Sequence, residues 1–292
     1  MDDFLWEHFL PVWRDFGTSS AGSILIAGGY GLFLKQQWLK QLGNIPTVIP
    51  FQNWIDTEPR VTKDVDLILG LDLIKDSSQQ KTVLSSLSKN GFEPSDRPHE
   101  QRWKFIKRIQ GDRSIVVEMH ASKPERGMTG IIATDKRVKH KPSLGPHGVH
   151  GRTNPEAAGS ELVPFTFAMD GVELKVPNPV TWSVMKLAAT SDRWSLSQSP
   201  DLDEQGRDYS RFQAAKHAQD VFRTIALMTL QERDHAGEVV ASISEHEAFR
   251  RAREIWNNDF SISPIPVVRE LASKWRQDDA LTIRQILSGW FG

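Results

Sequence analysis

The pattern of hydrophobic and polar positions predicts two different halves of the chain. Up to residue 176, short apolar or alternating segments are bounded by turn residues, which is typical of strands. These predicted strands lie at residues 23–27, 64–69, 102–109, 114–120, 130–133, 162–168 and 172–176. The last two form a hairpin closed at Asp170-Gly171, a strong turn signal. The remainder of residues 125–160 predicts loops, because Gly, Pro, His and Lys are frequent there.

Helical periodicity accompanies these strands and then dominates the second half. Predicted helices lie at residues 1–16, 30–42, 78–89, 180–191 and 209–230, and three or four shorter ones follow. Pro11 is expected to kink or restart the first helix. The predicted fold class is α+β: a mixed small sheet with flanking helices, followed by a C-terminal helical bundle. The predicted domain division is 1–176 and 177–292.

Composition narrows the class of protein without identifying it. The 292 residues are 39% hydrophobic and 25% charged, as in ordinary globular proteins. The formal net charge of -1 excludes a positive field over the whole molecule. The absence of cysteine excludes disulfides, thiolate zinc sites and cysteine nucleophiles. We find no signal peptide and no apolar run near the roughly 20 residues that span a membrane, and we expect a cytoplasmic protein.

Two acidic residues on the strand at 64–69 are the first candidate for chemistry. Alternate strand positions face the same side, so Asp64 and Asp66 share one face while Val65 and Leu67 occupy the other. Neighbouring carboxylates repel one another unless a cation lies between them. Oxygen ligands of this kind favour Mg²⁺ or Mn²⁺. The alternative is a pair of solvated residues on an edge strand.

Glycines and cations near these acids indicate a phosphate ligand. Gly28 and Gly29 lie between an apolar strand and a helix, where backbone N–H groups approach phosphate closely and the helix dipole is favourable. Directly before Asp64, the residues Arg60, Thr62 and Lys63 offer two cations and a hydroxyl to a polyphosphate.

A third acid interrupts the later strand. Glu118 stands in the apolar run of residues 114–120, which makes it a candidate third metal ligand or a residue of a half-exposed face. The strand before it carries Arg102, Lys104, Lys107 and Arg108. Those cations form either a solvated face or a path for an acidic substrate.

The order of these motifs resembles the nucleotidyltransferase superfamily, which has the polymerase-beta-like fold. The pattern comprises an apolar strand, the glycine pair, a helix, R-V-T-K-D-V-D-L at residues 60–67, and an acid in a later strand. It covers roughly residues 24–120. Within the superfamily the chain looks most like the AbiEii-type branch, which includes toxins of toxin–antitoxin pairs.

A weaker resemblance to that branch extends through the helical half. Its later motifs place a lysine on one helix and an aspartate on the next, similar to Lys186 here and to K-H-A-Q-D-V at residues 216–221. Members of the branch often have Lys-Asp where this chain has Lys216-His217. We therefore assign the aspartate role to Asp220.

The resemblance implies transfer of NMP from an NTP to an acceptor hydroxyl with two Mg²⁺ or Mn²⁺ ions. Asp64 and Asp66 are implied to hold metal beside the phosphates. Glu118 is implied to complete the second ion's site and to activate the acceptor hydroxyl or serve as its base. These three are the implied metal ligands.

The resemblance also implies roles for the remaining residues. Gly28 and Gly29 are implied to cradle phosphates through backbone N–H groups. Lys186, with Arg60, is implied to stabilise the leaving pyrophosphate. Asp220 is implied to position the base, the ribose or Lys186.

Three functions remain open at this level. The first is a transferase acting on an RNA such as tRNA or on a protein, with an antitoxin protein as a partner. The second is a small-molecule transferase of the antibiotic-modifying kind. The third is a binding module without catalysis, which the retained Asp pair argues against. A continuous basic groove from residues 102–108 into 126–152 favours RNA, and a small closed acidic pocket favours a small molecule.

Overall fold

The computed structural model describes residues 3–55, 62, 64–109, 111 and 113–292. The class is α+β, as predicted: a mixed sheet with helices, followed by C-terminal helices. The chain divides into two compact units, residues 1–34 with 60–177 and residues 35–59 with 178–292. Residues 35–59 therefore group with the helical unit. The predicted division into a catalytic and a helical domain stays a prediction.

The first unit contains the strands and the helices that lie between them. Its helices are α1 (Phe4–Ala21), the start of α2 (Gly28–Leu42), α3 (Leu71–Lys75) and α4 (Ser77–Lys89). Its strands are β1 (Ile24–Ala27), β2 (Asp64–Leu69), β3 (Glu93–Pro94), β4 (Lys104–Arg108), β5 (Ser114–Ala121), β6 (Ile131–Ala133), β7 (Arg137–His140), β8 (Gly151–Thr153), β9 (Phe165–Met169) and β10 (Val172–Val176).

The main sheet has the order β1-β2-β5-β8-β7-β6. Strand β2 runs antiparallel to β1 and parallel to β5. The other edge of β5 pairs with β4 over its first half and with β8 at its end. Strand β5 therefore pairs with β2, β4 and β8.

Alternation gives this sheet one apolar and one polar face. Val65, Leu67, Val117 and Met119 are fully buried and share one face with other apolar side chains. The residues between them on β2 and β5 are acidic, polar or half-buried. Burial of the apolar face fixes the register, because a slip of one residue would exchange the two faces.

The first helix and the final hairpin of this unit pack together. Helix α1 contacts β10, and the Trp13 indole donates a hydrogen bond to the Glu173 carbonyl at 2.9 Å. Helix α1 does not restart at Pro11, because the helix continues through that residue. The interruption is at Gly17, where φ is 66°. The hairpin turns at Asp170-Gly171, both at positive φ, as predicted.

Residues 125–160 hold more strand than the predicted loops allowed. Besides β6, strands β7 and β8 form there and extend the sheet beyond β5. These strands have only three or four residues each. Segments this short show too little alternation to be distinguished from loops by sequence alone.

The second unit is helical. Its helices are the end of α2, α5 (Pro179–Ser197), α6 (Glu204–Ala226), α7 (Leu230–Ile243), α8 (Glu247–Ile255), α9 (Pro266–Leu271) and α10 (Gln277–Phe291). The helix predicted at 209–230 begins earlier, at Glu204, because Asp203 caps α6 by accepting a hydrogen bond from the Gly206 N–H. In the described residues, no helix combines the length and apolarity that crossing a membrane requires.

A buried ion pair lies within the second unit. The Lys35 ammonium is 2.6 and 2.7 Å from the two Glu232 carboxylate oxygens, and both side chains are buried. Burial lowers the pKa of Lys35, and the charge and hydrogen bonds of Glu232 oppose that shift. Glu232 also accepts hydrogen bonds from Thr229 and completes the capping box of α7.

We predict that Glu232→Ala lowers the free energy of unfolding by about 3–5 kcal/mol, because it removes the carboxylate that lies against the buried Lys35 ammonium and that completes the capping box of α7. The measurement is urea unfolding followed by circular dichroism. Glu238→Ala, at an exposed position of the same helix, is the matched control and should change stability by less than about 0.5 kcal/mol. Equal losses in the two variants would contradict this account.

Candidate active site on the polar face of the sheet

Two carboxylates stand at aligned positions on neighbouring parallel strands. Asp66 of β2 and Glu118 of β5 are Cα partners, so their side chains leave the sheet side by side on its polar face. Both are half-buried, with 34% and 18% of their side-chain surfaces exposed. Like charges in this position are destabilising unless cations compensate them.

His120 completes a three-residue group with these acids. It lies two residues beyond Glu118 and therefore on the same face. Its Nε2 is 3.4 Å from Asp66 Oδ1. One ligand atom from each of Asp66, Glu118 and His120 lies within 4.8 Å of the others. This group can hold a metal ion.

Asp64 shares the polar face but does not belong to that group. It begins β2, is exposed, and has Val116 as its neighbour on β5. Its backbone N–H lies 3.3 Å from the Thr62 hydroxyl, so Thr62 helps to fix the start of the strand. The structure thus brings together Asp66 and Glu118 of the predicted ligands, with Asp64 one alternate position away.

Gly28 lies directly against Asp66. Their close approach follows from the pairing of β1 with β2, in which Ala27 is the Cα partner of Asp66. A Cβ at position 28 would overlap Asp66 Oδ2, and Gly28 has φ of 66°, which L side chains rarely adopt. Gly28 and the buried Gly29 form the first turn of α2, so the predicted glycine turn adjoins the predicted acids.

Lys104 provides a cation for Glu118. The two residues are Cα partners in β4 and β5, and Lys104 Nζ is 2.8 Å from Glu118 Oε1. Burial opposes the charge of Lys104, but the hydrogen bond and charge of Glu118, with Glu100 and Asp64, raise its pKa overall. Lys104 is therefore charged at neutral pH and partly compensates the acids.

A row of cations continues from the site along the same face. Arg152 of β8 is the Cα partner of His120, and Arg137 of β7 is the Cα partner of Arg152. At about 4.8 Å per strand, Arg137 stands about 10 Å from the His120 backbone. Lys139 follows Arg137 by two residues and shares its face.

The electrostatics of this region confirm its positive character. Burial lowers the pKa of His150 to about 4, with further lowering by the charges of Arg137, Lys139 and Arg102. In the described part of the chain, Arg137 donates to the backbone carbonyls of Pro98 and His99, and no carboxylate pairs with it. The basic row is thus not neutralised by neighbouring acids beyond the 4.0 Å approach of Arg152 to Glu118.

A cavity of ≈ 380 Å³ lies at the other end of β1 and β2. Leu25 and Ile68, which are Cα partners, line it, and Ile68 shares the face of Asp66. Asp72, Glu161 and Lys175 contribute charged groups to its wall.

Lys186 and Asp220 meet in the second unit. Lys186 Nζ of α5 is 2.7 Å from Asp220 Oδ2 of α6, with 6% and 2% of the side chains exposed. The sequence-based assignment of catalytic roles to this pair stays a prediction.

Two predicted phosphate contacts cannot be placed. Arg60 and Lys63 lie outside the residues that the structure describes. Their assignment to phosphate binding therefore stays a prediction, as does that of Thr62.

The sequence analysis did not identify His120 as a site residue, and it did not pair Lys104 with Glu118. The spacing Glu118-x-His120 was a usable signal, because alternate strand positions share a face. The pairing of Lys104 with Glu118 depends on the register of β4 and β5, which alternation alone does not give.

Comparisons with known proteins give one structural similarity. No family model matches the chain, and no curated protein matches it. A solved structure, described as an antigenic nucleotidyltransferase-like protein from Paracoccidioides brasiliensis, is similar with a TM-score of 0.36 and 12% sequence identity. The match covers 84% of this chain and 92% of that chain.

We predict that Gly28→Ala destabilises the first unit by more than about 1 kcal/mol and weakens metal binding, because the methyl group displaces Asp66 and the backbone is strained. Urea unfolding and a metal titration measure the two effects. The control is Gly237→Ala, at an open position inside α7, which should stabilise by up to about 1 kcal/mol. A Gly28→Ala variant with unchanged metal affinity would refute the close packing of Gly28 on Asp66.

Proposed function

We propose that this protein is a metal-dependent nucleotidyltransferase that transfers NMP from an NTP to an acceptor hydroxyl. The observation that carries the proposal is the alignment of Asp66 with Glu118 beside Gly28. It supports the motif resemblance, which links acids on two strands to a glycine turn.

The acidic residues and the histidine on the polar face of the sheet fit a divalent cation. Asp66 and Glu118 supply hard oxygen ligands, His120 supplies an imidazole nitrogen, and Asp64 lies at the exposed edge of the same face. A bound divalent ion supplies neutralisation of phosphate charge and lowers the pKa of a coordinated hydroxyl. Asp66, Glu118 and His120 would hold such an ion, and Asp64 would offer a further carboxylate on the same face.

Glu118 has two oxygens in different environments. Oε1 accepts the hydrogen bond of Lys104, which fixes the carboxylate plane, whereas Oε2 lies 4.0 Å from Arg152. In the proposed reaction the acceptor oxygen bonds to the α-phosphorus, the bond to the bridging oxygen breaks, and pyrophosphate leaves. The hydroxyl proton passes to Oε2, the oxygen that Lys104 does not hold.

Gly28 and Gly29 bind the phosphates in this proposal. The first N–H groups of α2 have no partners within the helix, and the helix dipole favours an anion there. The missing Cβ at Gly28 lets the Asp66 carboxylate lie directly against this turn. Arg60, Thr62 and Lys63 add charge and a hydroxyl from the segment before β2.

Lys186 and Asp220 are proposed to act on the leaving group. Lys186 would neutralise pyrophosphate, and Asp220 would position Lys186. Their 2.7 Å contact supports the positioning role. The AbiEii-type branch, a toxin activity and an antitoxin partner rest on the motif resemblance and remain proposals.

We predict that Asp66→Asn lowers the rate of NMP transfer by at least about a hundredfold, because the amide cannot hold the cation that stabilises developing charge. Asp64→Ala with Asp66→Ala should abolish transfer while leaving the fold intact. The assay incubates each labelled NTP with Mg²⁺ or Mn²⁺ and total RNA, followed by gel analysis.

Two readouts complete the test. Metal with NTP should raise the Tm of the unaltered protein, because binding to the native state stabilises it, and should not raise that of Asp66→Asn. Asp234→Asn, exposed on α7, is the control and should keep full activity. Full activity in the double variant rejects the enzyme assignment, and NTP binding without transfer in the unaltered protein favours a binding module.

The basic row favours RNA as the acceptor. Arg152 lies beside His120, and Arg137 and Lys139 lie farther from the site on the same face of the sheet. An RNA strand whose terminal hydroxyl reaches the metal would place its backbone phosphates along such a row. This local row supports the RNA alternative raised by the sequence, although the net charge of the chain is -1.

We predict that Arg137→Ala and Arg152→Ala each weaken RNA binding and reduce the slope of log K against log salt by about 0.7 per cation removed, because fewer counterions are released. Filter binding at several salt concentrations measures this slope. Arg250→Ala, at an exposed position of α8, should leave it unchanged. An unaltered slope in both Arg137→Ala and Arg152→Ala would remove RNA from the proposal.

A small-molecule acceptor is the second candidate. The cavity of ≈ 380 Å³ has the size of a ligand pocket, and Asp72 and Glu161 in its wall suit a cationic acceptor. Labelled NTP with an aminoglycoside in place of RNA discriminates the two acceptors. Product with the aminoglycoside alone would favour this reading over RNA.

A further inference from the structure

The third ligand position at the proposed metal site holds an imidazole where the motif resemblance implies a carboxylate. The predicted set of Asp64, Asp66 and Glu118 contains only oxygens. In the structure the ligand atoms that converge are those of Asp66, Glu118 and His120. On parallel β2 and β5, Asp66 is aligned with Glu118, whereas Asp64 is aligned with the apolar Val116. His120 shares the face of Glu118, and its Nε2 lies 3.4 Å from Asp66 Oδ1.

This ligand set carries less negative charge than three carboxylates would. His120 is neutral when it binds metal. Glu118 already shares its charge with Lys104 at 2.8 Å, and Arg152 stands 4.0 Å from its other oxygen. Mg²⁺ is held by carboxylate and phosphate oxygens, so a loss of negative charge weakens its binding most.

An imidazole nitrogen compensates for that loss only with ions that bind nitrogen well. First-row transition metals accept mixed nitrogen and carboxylate ligands, whereas Mg²⁺ demands oxygen ligands in an octahedral arrangement. His120 has 14% of its side chain exposed, and its Nε2 is already directed at Asp66 Oδ1, 3.4 Å away. The side chain therefore reaches the site without rearrangement.

We propose that His120 is a metal ligand and that it makes the site prefer Mn²⁺, as a first-row transition-metal ion, to Mg²⁺. The proposal deepens the function proposed above, because it concerns which ion that same site takes. It assigns a specificity role to a residue that the motif pattern does not include.

The test is direct metal binding, independent of transfer activity. Mn²⁺ is added to the full chain, and electron spin-echo envelope modulation is recorded on protein with ¹⁴N-histidine and with ¹⁵N-histidine. We expect a histidine nitrogen coupling that changes with the isotope and disappears in His120→Gln. A titration with Mg²⁺ then measures the excess needed to displace Mn²⁺.

His120→Asp is the informative variant, because it restores an all-carboxylate set at the same position. We expect the preference for Mn²⁺ over Mg²⁺ to fall by at least about tenfold, since even changes to residues behind metal ligands alter affinity by that amount. His147→Asn, at an exposed position away from β5, is the control and should leave the preference and the nitrogen coupling unchanged. Thermal unfolding of each variant checks that it is folded.

The outcomes separate this inference from the proposed function. Bound Mn²⁺ without histidine nitrogen coupling, or an unchanged preference in a folded His120→Asp, overturns the role of His120 and leaves the transferase proposal standing. Mn²⁺ binding that survives in both Asp66→Asn and His120→Gln places the ion elsewhere and overturns both. Absence of Mn²⁺ binding in the unaltered protein overturns the preference.

Discussion

The compensation of two aligned carboxylates is the constraint on which the proposed chemistry depends. Asp66 and Glu118 are neighbours on parallel strands, and the sheet gives them no freedom to separate. Lys104 holds one oxygen of Glu118, and His120 approaches Asp66. A divalent cation completes the balance in the function proposed here, since like charges this close are otherwise destabilising.

The apolar face of the sheet keeps this charged face in place. Val65 and Leu67 on β2, with Val117 and Met119 on β5, are fully buried and cannot exchange faces without exposure. Their burial therefore holds the acids where they repel one another. Apolar and polar residues alternate along β2 and β5. This alternation stabilises the core on one face and places the two carboxylates side by side on the other, as is usual where function competes with local stability.

Among the described residues of the helical unit, two buried ion pairs stabilise the fold only while both partners of each pair remain. Lys35 with Glu232 and Lys186 with Asp220 each join two helices through contacts of 2.6 to 2.7 Å. The first also caps α7, which marks it as structural. The second pair, Lys186 with Asp220, consists of the lysine and the aspartate that the motif resemblance singled out. Its burial fixes the position of the Lys186 side chain.

The sequence by itself determined the α+β class, the glycine turn and the alternation that puts Asp64 and Asp66 on one face, because these depend on local periodicity. Only the tertiary structure decided that Glu118 aligns with Asp66, that His120 rather than Asp64 joins them, and that Lys104 and Arg152 flank them. Those facts depend on the register between strands distant in sequence. Register is set by the packing of the whole apolar face, and no local pattern encodes it.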